Sequence, residues 1–125
     1  GALPVFDPRV LQALPTVAES NRPGYVDELL VLFDRCCDAD LAAAEQALAE
    51  ADLVTLQRSV HTLKSNAAQI GAAALAAEAA RQEARLRAGQ PPDPDGPQRL
   101  REHLQTLRAH LSARRSLQAD VLTTP

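Results

Sequence analysis

Tryptophan and methionine are absent, and aromatic residues make up only 2% of the chain. A strand sandwich draws on aromatic and β-branched side chains, so a core of Leu, Ala and Val points to closely packed helices instead. No apolar run approaches the roughly 20 residues a membrane span requires. The first residues lack the basic start and apolar core of a secretory leader. These two absences set the expectation of a cytoplasmic protein without direct membrane contact. There is no basic excess either: the formal net charge is −3. A sequence-independent nucleic-acid binder is normally basic, so no nucleic-acid partner is expected. Only two cysteines occur, Cys36 and Cys37. Adjacent helical residues point about 100° apart and do not bridge each other readily. Both are read as small, buried or half-buried hydrophobes of a reducing compartment.

Proline is missing from the whole stretch between Pro23 and Pro91. That leaves a long helix-permissive block, bounded by breakers on both sides. Hydrophobic residues reach 46% of the 125, enough for the core of one domain. Asp7 and Pro8 read as an N-cap and first helical residue of a short helix ending near Ala13, before Pro15. A second helix is expected from a Ser20 or Asn21 cap, with Pro23 in its first turn, to about Glu50; Asp38–Asp40 marks a point where it could bend. Its stripe is Leu30, Phe33, Cys37, Leu41, Ala44 and Leu48. Asp52 caps a third helix with the stripe Leu53, Leu56, Val60, Leu63, Ala67 and Ile70, and Gly71 ends it. A fourth, alanine-rich helix covers about Ala72 to Arg87 and carries Leu75, Ala79 and Leu86. The run `GQPPDPDGP` breaks the chain before a fifth helix with Leu100, Leu104, Leu107 and Leu111. The fold class expected is all-α, an antiparallel four-helix bundle with a short extra N-terminal helix capping one end. One domain is expected, its bundle over about residues 7–113, with residues 1–6 as an entry segment and 114–125 as a tail.

Against this frame the stretch `SVHTLKSNAAQIGA` is unusual, because it holds one of only three histidines. His61 lies one residue past the stripe position Val60, about 100° around the helix, and so reaches the surface. Lys64, Ser65 and Ala68 share its strip. Folding the fourth helix back at Gly71–Ala72 brings His61 level with Gln82 and Glu83, and Lys64 level with Ala79 and Ala80. One acid, one cation and otherwise short side chains then surround the imidazole. An imidazole attacks a phosphoryl group through one nitrogen while the other donates to a carboxylate, which fixes the tautomer and stabilises the modified ring. Lysine meets phosphate oxygens as a compact charge.

The longer stretch `VHTLKSNAAQIGAAALAAEAARQEARL` resembles the signature of histidine-containing phosphotransfer (HPt) domains. His61, Leu63, Lys64, Ser65, Ala67, Ala68, Gly71, Leu75 and Glu83 fall in register with it. The opening `LPVFDPRVLQAL` is similar to the entry to such domains in bacterial hybrid sensor histidine kinases, and the resemblance covers roughly residues 3 to 113. It implies that His61 accepts the phosphoryl group, that Lys64 helps hold it and that Glu83 accepts a bond from the ring. Gln57, Ser65, Ala68, Gln69 and Gly71 would face the partner. That partner would be the receiver domain of a response regulator or hybrid kinase, which brings the phospho-aspartate and the Mg²⁺. The resemblance implies a module with no cofactor of its own and no autonomous kinase activity, with the cytoplasmic C-terminal domain of a membrane-bound sensor as one setting. The chain departs from the pattern at Ser65, where Gly is commonest, at Gln82, where Leu is frequent, and in a longer, proline-rich loop at 89–97.

Other readings compete. A non-catalytic four-helix docking or dimerisation module fits the same periodicity, although the polar outer faces suit a monomer. His103 and His110 share a face, but no Cys or carboxylate at matching spacing completes a metal shell, so no metal site is expected. Arg81, Arg85 and Arg87 read as a solvated basic face. The marked residues supply no oxyanion hole or enclosed pocket, which argues against an autonomous hydrolase.

Overall fold

The computed structural model describes residues 3–123, with side chains up to Leu117. Every regular element among them is helical: α1 Pro8–Ala13, α2 Pro15–Ala18, α3 Tyr25–Ala49, α4 Leu53–Ile70, α5 Ala73–Arg87 and α6 Gly96–Thr123. Each of the four long helices packs on two others: α3 on α4 and α6, and α5 on α4 and α6. Helix α1 lies against α4.

The local sequence accounts for most of the boundaries. Asp7 caps α1, its Oδ1 accepting from the Arg9 N–H at 3.0 Å, with Pro8 in the first turn. The restriction that Pro15 places on Leu14 ends α1 and begins the four-residue α2, which the periodicity did not indicate. The cap expected at Ser20 or Asn21 is not the one used. Ser20 Oγ accepts from the Arg22 N–H at 3.3 Å within a turn, and Pro23 stays outside the helix. Helix α3 starts after Gly24, whose φ of +80° turns the chain into the helix with no side-chain cap. Asp27 and Glu28 then lie in its positive first turn. Helix α3 runs unbroken past Asp38–Asp40.

Asp52 caps α4 through Thr55, accepting from its N–H at 3.1 Å and its hydroxyl at 2.6 Å. The preceding turn holds Ala51 at φ +57°, a left-handed conformation costly for a residue with a Cβ. At the far end, Gly71 has φ +91°, and the Ala72 N–H returns to the Ala67 carbonyl at 2.9 Å. This is the hydrogen-bond closure of a left-handed C-terminal cap. The entry segment lies against this turn. The Asp7 N–H donates to the Gly71 carbonyl at 2.8 Å, and the Ala74 N–H to the Pro4 carbonyl at 3.0 Å.

The core follows the expected stripes. Phe33, Cys37, Leu41 and Ala44 of α3, Leu56, Val60, Leu63, Ala67 and Ile70 of α4, Leu75 and Ala79 of α5, and Leu100, Leu104 and Leu107 of α6 are all buried. Leu30, Leu48, Leu86 and Leu111 are half-buried around them. Leu53 departs from its stripe at 48% exposure, because the first residue of α4 stands at the end of the packed region. Phe6 joins the core from the entry segment. Helix α6 continues to Thr123, where a tail was expected from about 114. No Gly or Pro falls between Pro97 and Thr123 to stop it. Leu117, in this extension, is nevertheless exposed.

Arginines of α6 meet acids of α3. Arg108 spans Asp34 (2.6 and 3.1 Å) and Asp38 (3.3 Å), and Arg101 reaches Glu45 at 2.5 Å. The proline-rich loop is tied down too. Arg85 donates to the Pro91 carbonyl at 2.5 Å, and both Arg81 and Arg99 pair with Asp93.

Candidate functional site

Helix α4 turns Val60 and Leu63 into the core, which leaves His61 and Lys64 on the flank toward α5. Alanine at positions 76, 77 and 80 of α5 keeps that flank low. Glu83 comes up from α5 beneath the two side chains. Its carboxylate is only 4% exposed, against 48% for the His61 ring and 31% for Lys64. Glu83 Oε2 lies 2.5 Å from His61 Nδ1, and Glu83 Oε1 accepts from Lys64 Nζ at 2.5 Å. The register predicted His61 beside Glu83. Lys64, expected level with Ala79 and Ala80, leans back toward the same carboxylate, a reach its four-carbon stem permits.

Burial by itself would push the Glu83 carboxyl up. The hydrogen bonds and charges of Lys64 and His61 outweigh it and hold the group below the usual 4.5. Glu83 is therefore an ionised acceptor, and the ring must donate to it from Nδ1. That tautomer leaves the Nε2 lone pair free, and Nε2 has no hydrogen-bond partner among the described residues. A half-exposed imidazole with a free nitrogen, a buried counter-charge behind it and an ammonium one turn on is equipped for nucleophilic attack on an electrophile brought from outside.

A third donor joins the carboxylate. Arg87 Nη2 donates to Glu83 Oε2 at 3.0 Å. The sequence reading placed Arg87 on a solvated face and missed this contact, although its spacing of four residues from Glu83 signals it. Arg81 likewise pairs with Glu78 at 2.7 Å, so this basic face is largely neutralised from within.

Ser65, Ala68 and Gln69 are exposed, and Gln57 is half-buried. Gly71 is not part of this surface, contrary to expectation. It is buried under the entry segment, where an added Cβ would fall 2.3 Å from the Asp7 carbonyl oxygen. Gly71 thus serves the turn and the packing on it. Gln82, in place of the frequent Leu, is buried and satisfied: its Nε2 donates to the Gly96 carbonyl at 2.9 Å and links α5 to the start of α6. Cys37 is a core residue whose thiol is pushed up to about 12 by burial and by Asp40 and Asp34. Cys36 is exposed, not buried or half-buried as expected. It lines a cleft of about 150 Å³ with Leu32, Phe33, Gln69 and Ile70. Leu32, which no stripe marked, is 57% exposed at this cleft. The His110 ring packs on Phe6 with centroids 6.3 Å apart.

Comparison with curated proteins and with solved structures yields no match. The Hpt domain family model matches residues 28–110, well over half of the chain. That span takes in all of α4 and α5, and with them His61, Lys64, Glu83 and Arg87. With the all-helical fold and this site already in place, the match assigns the chain to the Hpt domain family.

Proposed function

We propose that this chain accepts a phosphoryl group at His61 from the phospho-aspartate of a receiver domain and passes it to an aspartate of another. Hpt domains serve phosphotransfer in two-component signalling; the specific relay and its residues are our reading. The observation that carries it is the pairing of a half-exposed imidazole with a buried, ionised glutamate at Nδ1. In the step proposed, the Nε2 lone pair of the neutral ring attacks phosphorus. The P–O bond of the acyl phosphate breaks and the aspartate carboxylate leaves. The product ring keeps its Nδ1 proton and carries a positive charge, which Glu83 neutralises. Lys64 spends one of its three protons on Glu83 and has two left for phosphoryl oxygens. Mg²⁺ would come with the receiver. Reversal of the same step discharges the group onto a second receiver.

On this reading α3 to α6 form an antiparallel four-helix bundle, supported by the short connections on either side of α4 and by the ring of pairwise contacts. The receiver would dock over Gln57, Ser65, Ala68 and Gln69. The apolar cleft beside Gln69, with exposed Leu32, supplies a surface that a partner could cover. We place the domain in a cytoplasmic hybrid-kinase relay, and no described helix is long and apolar enough to cross a membrane.

The test follows labelled phosphate from phosphorylated receiver domains onto the wild-type chain and onto His61→Gln. Acid-labile, alkali-stable label on the wild type alone supports the proposal. Absence of label on both, across several receivers, overturns it in favour of a docking module without chemistry.

A further inference from the structure

Glu83 carries more than its two expected bonds. A carboxylate has two lone-pair sites on each oxygen. On Oε1, Lys64 takes one at 2.5 Å. On Oε2, the His61 ring takes one at 2.5 Å and Arg87 another at 3.0 Å. Lys64 and His61 reach the group from α4, whereas Arg87 comes from one turn further along α5, the helix of Glu83 itself. Rotation about the last torsion of a glutamate is soft, so one bond to each oxygen from α4 leaves the carboxylate plane loosely set. A donor from α5 closes the arrangement.

We propose that Arg87 is a positioning residue for His61. By filling the second lone pair of Glu83 Oε2 it fixes the carboxylate plane, and that plane keeps the imidazole proton on Nδ1 and the Nε2 lone pair pointing outward. Arg87 acts through Glu83, as the outer partners of metal-bound histidines act through their acceptors to set a ring's tautomer and orientation. Its guanidinium is also suited to a fixed direction, because its donors lie in one rigid plane, which an ammonium does not offer. The kinetic consequence rests on the phosphotransfer reading of His61. The tautomer does not.

Nitrogen NMR of the whole chain, labelled at histidine, reports which ring nitrogen of His61 carries the proton at a pH where the ring is neutral. The expected result is an Nδ1–H ring in the wild type, a mixture with Nε2–H in Arg87→Gln, and partial recovery in Arg87→Lys. Phosphoryl uptake from a receiver should fall about fivefold in Arg87→Gln, the order of a lost charge-assisted bond of about 1 kcal/mol. An unchanged tautomer in Arg87→Gln overturns the proposal. If uptake nevertheless falls, Arg87 then acts on the phosphoryl group or the partner instead. If the tautomer shifts but the wild type takes no phosphate from any receiver, the positioning role stands and the phosphotransfer reading fails. Circular dichroism of each variant separates these outcomes from loss of fold.

Discussion

Glu83 is the residue on which three others depend, and its charge is what they share. Replacing it with Gln keeps an acceptor for the ring but removes the charge that offsets the phosphorylated imidazole. Uptake of phosphate by Glu83→Gln should fall about tenfold, the cost of about 1.4 kcal/mol when a charge-assisted bond becomes a neutral one. The same carboxylate couples stability to pH. Its folded pKa lies below the unfolded value, since the Lys64 and His61 bonds outweigh burial. The native state thus holds fewer protons there than the unfolded chain. The stabilisation is complete above about 4.5 and drains away as pH falls through the lower folded value. Urea unfolding should therefore show a gap between wild type and Glu83→Gln at pH 7 that narrows toward pH 3. A gap that stays constant would mean Glu83 is not held ionised.

At the scale of elements, the two ends of α4 make opposite predictions. Ala51, before its start, is exposed at φ +57°. Ala51→Gly removes the left-handed strain without losing a packed side chain, and should stabilise the protein by about 0.5–1 kcal/mol. Gly71, after its end, has φ +91° and the Asp7 carbonyl in the place a Cβ would take. Gly71→Ala should cost about 2–4 kcal/mol, strain and overpacking together. Thermal unfolding of the two variants checks both signs. These ends also show what the sequence discloses. Gly71 as a helix stop and Asp52 as a cap were legible, because their chemistry is local. The burial of Gly71 was not, because the Asp7 carbonyl that covers it comes from more than sixty residues away. The start of α3 was misplaced for a similar reason. Ser20 and Asn21 have cap chemistry, but the turn at Pro23–Gly24 moves the cap to Gly24.

For the whole molecule, α6 is held to α3 by a line of ion pairs as well as by Leu100, Leu104 and Leu107. Arg108 and its partners are partly exposed, so solvent screens them. Arg108→Ala should cost about 0.5–1 kcal/mol at low salt and less as ionic strength rises. A salt-independent loss in chemical denaturation would point to packing of the arginine stem instead. Of the candidate site, the pairing of His61 with Glu83 was legible, because a helical repeat and a tight turn fix which residues of α4 and α5 stand level. The bond of Arg87 to Glu83, that of Gln82 to Gly96 and the exposure of Leu32 were not read. The last two depend on how α5 meets α6 and how α3 lies on α4, which no single-helix pattern encodes; the first is an i,i+4 pair within α5 that the spacing did offer.

The entry segment meets the Gly71 turn through two main-chain bonds, Asp7 N–H to Gly71 and Ala74 N–H to Pro4. A bond between main chains is indifferent to side-chain identity. Substitutions at Leu3, Pro4 or Val5 can accumulate in a lineage while the strap stays in place, and such a strap leaves almost no imprint in the letters that sequence comparison reads. The family match begins only at residue 28, well after this segment. What imprint there is lies on the receiving side, in the glycine that must stay bare for another part of the chain to rest on it.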